Sequence, residues 1–184
     1  MLSGLFVCCN IRNTIFNAGG NEMKFQVQLK IQGPIEDVFG AVHDPGKLSG
    51  YFTNGGASSP LSEGTTVEWR FADTPGEADI VATVNVIQVI PNELIVLEWK
   101  GAADHETRVE MNFEKTGPAE TLVKISESGW QEKDLDHSYG NCFGWSFMIT
   151  ALKAYVEYGI NLRKGAFTGM HKAEDYAQAQ SGAH

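Results

Sequence analysis

Apolar and polar residues begin to alternate at Lys24, where the pattern predicts a first strand. In the segment KFQVQLKI the lysines and glutamines share one face, and the opposite face carries Phe25, Val27, Leu29 and Ile31. This period of two is typical of a half-buried strand. After Gly33 and Pro34, PIEDVFGAVHD has early acidic residues and one apolar stripe, which predicts a short amphipathic helix. A further helical turn is expected in KLSGYFT.

Five β segments follow, separated by short turns: TVEWRF, EADIVATVNVIQVI, ELIVLEW, HETRVEMNFE and TLVKISE. Short turns favour antiparallel neighbours. The predicted inward positions include Trp69 and Trp99, and three polar residues have the same parity as the apolar ones: His105, Thr107 and Glu127.

A long helix is predicted from about Ser138 to Leu162. Its main apolar stripe has the spacing i, i+4, i+7, i+11 and consists of Trp145, Ile149, Leu152 and Val156. Phe147, Met148, Ala151 and Tyr155 widen it, so the helix should be buried on more than one side. One sheet with a single polar face needs a large apolar partner, and this helix supplies it. The predicted fold class is α+β, a curved antiparallel sheet wrapped around the C-terminal helix.

Composition and charge limit the classes of protein and of binding partner. With 184 residues, 42% of them apolar and 20% charged, the chain fits one soluble globular domain. A net charge of −9 argues against a nucleic-acid partner, which needs clustered Lys and Arg. No apolar run approaches the roughly 18 to 20 residues that span a bilayer, so no membrane insertion is expected. Cys8, Cys9 and Cys142 suggest reduced cytoplasmic thiols without a zinc site.

Residues 1–22 lack a sustained period. They are interpreted as a flexible extension or as sequence upstream of a natural start at Met23. The domain is predicted to span residues 23–169, followed by a tail of residues 170–184.

Several motifs carry a family resemblance. KLSGYFT, EGTTVEWRFAD, ESGW and the run from SYGNC to INLR resemble bacterial members of the START-like (SRPBCC) superfamily. The branch is the one named for homology to activators of heat-shock protein 90 ATPase. The resemblance implies a helix-grip fold, in which a seven-stranded sheet holds the helix over a cavity. The superfamily includes lipid and hormone carriers, polyketide cyclases and stress proteins.

The interior between sheet and helix is the candidate site, since apolar walls with a few polar groups suit a small-molecule pocket. The alternative is that these side chains are simply core or rim. The candidate lining residues are Phe39, Trp69, Trp99, His105, Thr107, Glu127, Trp145, Met148, Leu152 and Tyr155.

No catalytic motif such as G-x-S-x-G, H-E-x-x-H or G-x-G-x-x-G is present. His105 with Glu98 or Glu127 could serve as acid and base in a cyclase-like cavity. In DLDHSYGNC, a metal or Cys-His site is less favoured than a helix start capped by Asp136 or Ser138, with Cys142 buried.

The main hypothesis is therefore a monomeric or homodimeric protein that binds a small hydrophobic or aromatic molecule, with no cofactor and no metal. Two alternatives stay open. One is an enzyme of the cyclase, dehydratase or hydrolase kind that uses the same interior. The other is a protein-interaction domain that contacts a chaperone.

Overall fold

A computed structural model describes residues 10–13, 23–102 and 104–170 of the chain. Its strands are β1 (Asn10–Asn13), β2 (Met23–Ile31), β3 (Gly56–Ala57), β4 (Thr66–Phe71), β5 (Ile80–Ile90), β6 (Leu94–Trp99), β7 (Thr107–Gly117) and β8 (Glu120–Trp130). Its α-helices are α1 (Ile35–His43), α2 (Pro45–Ser49) and α3 (Leu135–Tyr158).

The strands form a single antiparallel sheet in the order β1-β2-β8-β7-β6-β5-β4-β3. The sheet curves around α3, so the predicted helix-grip α+β fold is confirmed. The short edge strand β1, which pairs with β2, was not predicted, because NIRN has no clear alternation. The predicted alternation of β2 is confirmed: Phe25, Val27, Leu29 and Ile31 are buried and the residues between them are exposed.

The 24-residue helix α3 packs on the concave face of the sheet, chiefly against β2. Its fully buried side chains include Met148, Ile149 and Leu152. Burial of one such side chain contributes about 1.5–3 kcal/mol to the free energy of unfolding. These side chains lie along one face of the helix and therefore fix it on the sheet.

The ends of α3 differ from the prediction by three to four positions. The chain enters through a 3-10 turn in which Gln131 and Asp134 form a capping box, so α3 begins at Leu135. The predicted caps Asp136 and Ser138 are wrong, since both lie inside the helix. The helix ends before Gly159, whose φ of 67° is the left-handed conformation that glycine adopts readily.

Residues 159–170 then fold back as a C-terminal strap. Arg163 pairs with Asp73, in the loop after β4, through Nε–Oδ1 and Nη2–Oδ2 contacts of 2.9 and 2.5 Å. Phe167 packs edge-on against Phe147 of α3 with a centroid distance of 4.8 Å. The strap therefore joins α3 to the β4 end of the sheet.

Candidate functional site

A buried carboxylate lies at the centre of the interface between sheet and helix. Glu127, on β8, has no exposed surface. Its Oε1 accepts hydrogen bonds from Trp99 Nε1 at 2.9 Å, Thr107 Oγ1 at 2.5 Å and Asn141 Nδ2 at 3.2 Å. Its Oε2 accepts one from Trp145 Nε1 at 2.8 Å. Residues of β6, β7 and α3 therefore all donate hydrogen bonds to this one side chain of β8.

Register and helical spacing explain this convergence. Val123, Ile125 and Glu127 alternate inward along β8. Trp99 of β6 stands opposite Thr107 of β7 in the antiparallel register. On α3, Asn141 and Trp145 are four residues apart and therefore share one face.

The environment shifts the titration of Glu127. Burial, which disfavours the charged form, raises the pKa of Glu127 above its ordinary value. The hydrogen bonds from its four neighbours act in the opposite direction but do not cancel this effect. All four donors are neutral side chains.

The backbone closes over the carboxylate at Gly101. A Cβ at this position would lie 2.1 Å from Thr107 Oγ1 and 2.6 Å from Glu127 Oε1. Such distances are far inside van der Waals contact, so the site requires glycine at position 101.

Aromatic rings surround the carboxylate. The ring centroids of Trp99 and Trp145 are 5.6 Å apart, and Trp69 lies 6.3 Å from Trp145. Phe52 packs edge-on against Trp69 at 5.6 Å. The indole N–H of Trp69 is buried and has no hydrogen-bond partner among the described residues. An unsatisfied buried donor of this kind costs about 1–3 kcal/mol.

The strap covers the outer side of this aromatic cluster. The Arg163 guanidinium lies 4.6 Å from the centroid of Phe71 and 5.9 Å from that of Phe52. Its partner Asp73 is also buried. Phe52 therefore separates the Arg163–Asp73 ion pair from Trp69 and Trp145.

His105 lies outside this centre. Its Nδ1 faces Asp104 Oδ1 at 2.7 Å, and its Nε2 faces the carbonyl oxygen of Gly129 at 2.9 Å. The hydrogen bond to Asp104 is the main cause of the raised pKa of His105. The structure does not bring His105 into hydrogen-bond contact with Glu98 or Glu127, because both ring nitrogens face other partners and Glu98 pairs with Arg108.

Asp104, His105 and Asp134 have ligand-type atoms within 4.8 Å of one another. However, both nitrogens of His105 already face acceptors, and Lys133 forms an ion pair with Asp104 at 2.5 Å. A protonated imidazole donates to both acceptors and cannot bind a metal ion. We assign this group to a hydrogen-bond network.

The remaining predicted lining residues are spread along the interface. Phe39, on α1, packs edge-on against Phe113 and belongs to the core beneath that helix. Met148 and Leu152 are fully buried core residues of α3. Tyr155 is half-buried against Tyr51, with ring centroids 5.1 Å apart.

Sequence reasoning missed Phe52, Gly101 and Asn141. Asn141 has a detectable signal, because it precedes Trp145 by one helical turn on the same face. Phe52 and Gly101 lie in irregular segments, where side-chain periodicity gives no direction. Cys142 is buried, as predicted.

The chain belongs to the Activator of Hsp90 ATPase homolog 1-like protein family, whose model matches residues 32–157. This match covers both α1 and most of α3, together with the strands that carry Trp69, Trp99 and Glu127. No curated protein matches the chain significantly.

Solved structures support the same fold. Protein SSP2350 from Staphylococcus saprophyticus is similar with 26% identity and a TM-score of 0.66, over 77% of this chain and 96% of that one. The Aha1 dimer from Colwellia psychrerythraea is 21% identical, with a TM-score of 0.62, over 74% and 97% of the two chains. CalU16 from Micromonospora echinospora is 15% identical, with a TM-score of 0.59, over 95% and 94%. No helix among the described residues combines the length and apolarity needed to cross a bilayer.

Proposed function

We propose that this protein binds a small, mainly aromatic molecule between α3 and the sheet, beside Glu127. The observation that carries the proposal is the buried indole N–H of Trp69, which lies in a cluster of aromatic rings and has no hydrogen-bond partner in the part of the chain that the structure describes. A ligand carbonyl or hydroxyl oxygen would satisfy this donor. Since Phe52, Trp69 and Trp145 pack closely, binding requires these rings to move apart.

Acetophenone, which combines a phenyl ring with a carbonyl acceptor, is a suitable probe. We expect it to raise the melting temperature, since a ligand at a hundred times its dissociation constant stabilises the folded state by about 2.7 kcal/mol. Trp69→Phe removes the donor and should weaken binding. Trp130→Phe is the matched control. Trp130 Nε1 is also buried and has no partner among the described residues, but Trp130 lies near Phe25, outside the cluster. No stabilisation of the parent protein, or equal weakening by both variants, would contradict the proposal.

Self-association is a second candidate function, favoured by exposed aromatic side chains on α3. Tyr139 and Phe143, one helical turn apart, are 51% and 61% exposed. The similar Colwellia protein forms a dimer, and we propose that a second copy of this chain covers these residues. Light scattering should give a dimer mass for the parent protein and a monomer mass after Phe143→Ser. A monomeric parent would exclude this candidate.

A further inference from the structure

Among the residues that the structure describes, the carboxylate of Glu127 has only neutral hydrogen-bond partners. Trp99, Thr107, Asn141 and Trp145 supply N–H and O–H dipoles, and none of them carries a positive charge. A buried carboxylate without a cation is strongly disfavoured in its ionised form. The raised pKa of Glu127 expresses this cost. The ionised site is therefore short of one positive charge.

The two oxygens of Glu127 are not equally occupied. Oε1 accepts three hydrogen bonds, from Trp99, Thr107 and Asn141. Oε2 accepts one short bond from Trp145 at 2.8 Å, and its second contact, from Asn141, is 3.5 Å long. Since a carboxylate oxygen can accept two good hydrogen bonds, Oε2 retains capacity for one further short donor.

Indole rings surround Glu127. Trp99 and Trp145 are tilted by 55° with ring centroids 5.6 Å apart, and Trp69 lies 6.4 Å from Trp99. The face of an indole ring attracts an ammonium group more strongly than the faces of other aromatic side chains do, and the attraction increases when water is excluded.

We propose that the ligand of this site carries an ammonium group, which donates to Glu127 Oε2 and contacts the surrounding indole rings. This inference rests on the proposed binding function and adds the charge of the ligand. The phenyl or other apolar part of such an aromatic amine would lie among Phe52, Trp69 and Trp145. An ammonium group at Oε2 would supply both the missing charge and a charge-assisted hydrogen bond.

The test compares phenethylamine with 2-phenylethanol, which has the same ring and linker but a neutral end group. We expect the parent protein to bind the amine at least about tenfold more tightly at neutral pH, as a charge-assisted hydrogen bond implies. Equal affinities, or a preference for the alcohol, would overturn the ammonium proposal and leave ligand binding intact. Absence of binding by both compounds and by acetophenone would overturn the proposed function itself.

Glu127→Gln should reduce the affinity for phenethylamine to about that for 2-phenylethanol. Glu98→Gln is the matched control, because Glu98 pairs with Arg108 and lies outside the site. A retained preference for the amine in Glu127→Gln would contradict the assignment to this carboxylate.

If that variant does not fold, the pH dependence of binding by the parent protein tests the proposal. Acidification that protonates Glu127 should weaken binding of the amine and leave binding of the alcohol unchanged. An amine affinity that follows the alcohol across this pH range would overturn the proposal.

Discussion

Trp145 of α3 donates its indole N–H to Oε2 of Glu127 on β8 across 2.8 Å. The bond joins the helix to the middle of the sheet in a position from which water is excluded, since Trp145 is 2% exposed and Glu127 is fully buried. Trp99 of β6 and Thr107 of β7 donate to the other oxygen. Glu127 is therefore both a structural link and the polar centre of the proposed ligand site.

Gly101→Ala should destabilise the protein, because the new Cβ would lie 2.1 Å from Thr107 Oγ1 and displace it from Glu127. Overpacking of this kind costs about 1–3 kcal/mol. Gly144→Ala is the control: its Cβ would meet open space on α3, and replacing a helical glycine should stabilise by about 0.5–1 kcal/mol. Urea denaturation measures both changes. Equal stability of Gly101→Ala and the parent would contradict the close approach.

His105 should make stability depend on pH. Its pKa is raised from 6.5, mainly by the hydrogen bond to Asp104, so the folded state holds the proton more tightly than the unfolded state. The resulting stabilisation is fully present below 6.5 and is lost as the pH rises through the folded-state pKa. In His105→Gln, and also in Asp104→Asn, the loss of stability should be larger at pH values below this range than above it. Parallel pH profiles for parent and variants would contradict this prediction.

The ion pair between Arg163 and Asp73 should contribute strongly to stability. Their side chains are only 9% and 4% exposed, and removal of one partner from a buried pair costs about 3–5 kcal/mol. We therefore expect Arg163→Met to lower the free energy of unfolding by this order. Arg70→Met is the control, because Arg70 and Glu68 are 45% and 46% exposed, and such pairs contribute about 0–1 kcal/mol. Similar losses in both variants would show that burial does not determine the effect.

Much of the fold follows from local pattern. The alternation in β2 and in TVEWRF identifies strands whose apolar residues are buried, apart from the half-buried Phe71 at the end of TVEWRF. The wide stripe on α3 identifies the helix that the sheet surrounds. The inward parity of Thr107 and Glu127 agrees with their burial, although the sequence favours a position at the rim for Glu127. In these cases the residue types within one segment are sufficient to predict the element and its buried face.

Position within the interior does not follow from local pattern. His105 precedes Thr107 by two residues, yet it lies before the first residue of β7, so its loop turns it towards Asp104 and Gly129 instead of Glu127. The partners of Glu127 come from β6, β7 and α3, which only the tertiary fold brings together. Gly101 is required by a close approach that no sequence spacing reveals.

The central claim, ligand binding beside Glu127, is tested most directly by the indole N–H signals in a two-dimensional ¹⁵N–¹H NMR spectrum. The chain has 4 tryptophans, so 4 such signals can be assigned with single Trp→Phe variants. On titration with acetophenone we expect the Trp69 signal to move most, as its N–H gains an acceptor, and those of Trp99 and Trp145 to move with it. The Trp130 signal should stay in place. An unchanged Trp69 signal at saturating probe, or movement confined to Trp130, would contradict the account.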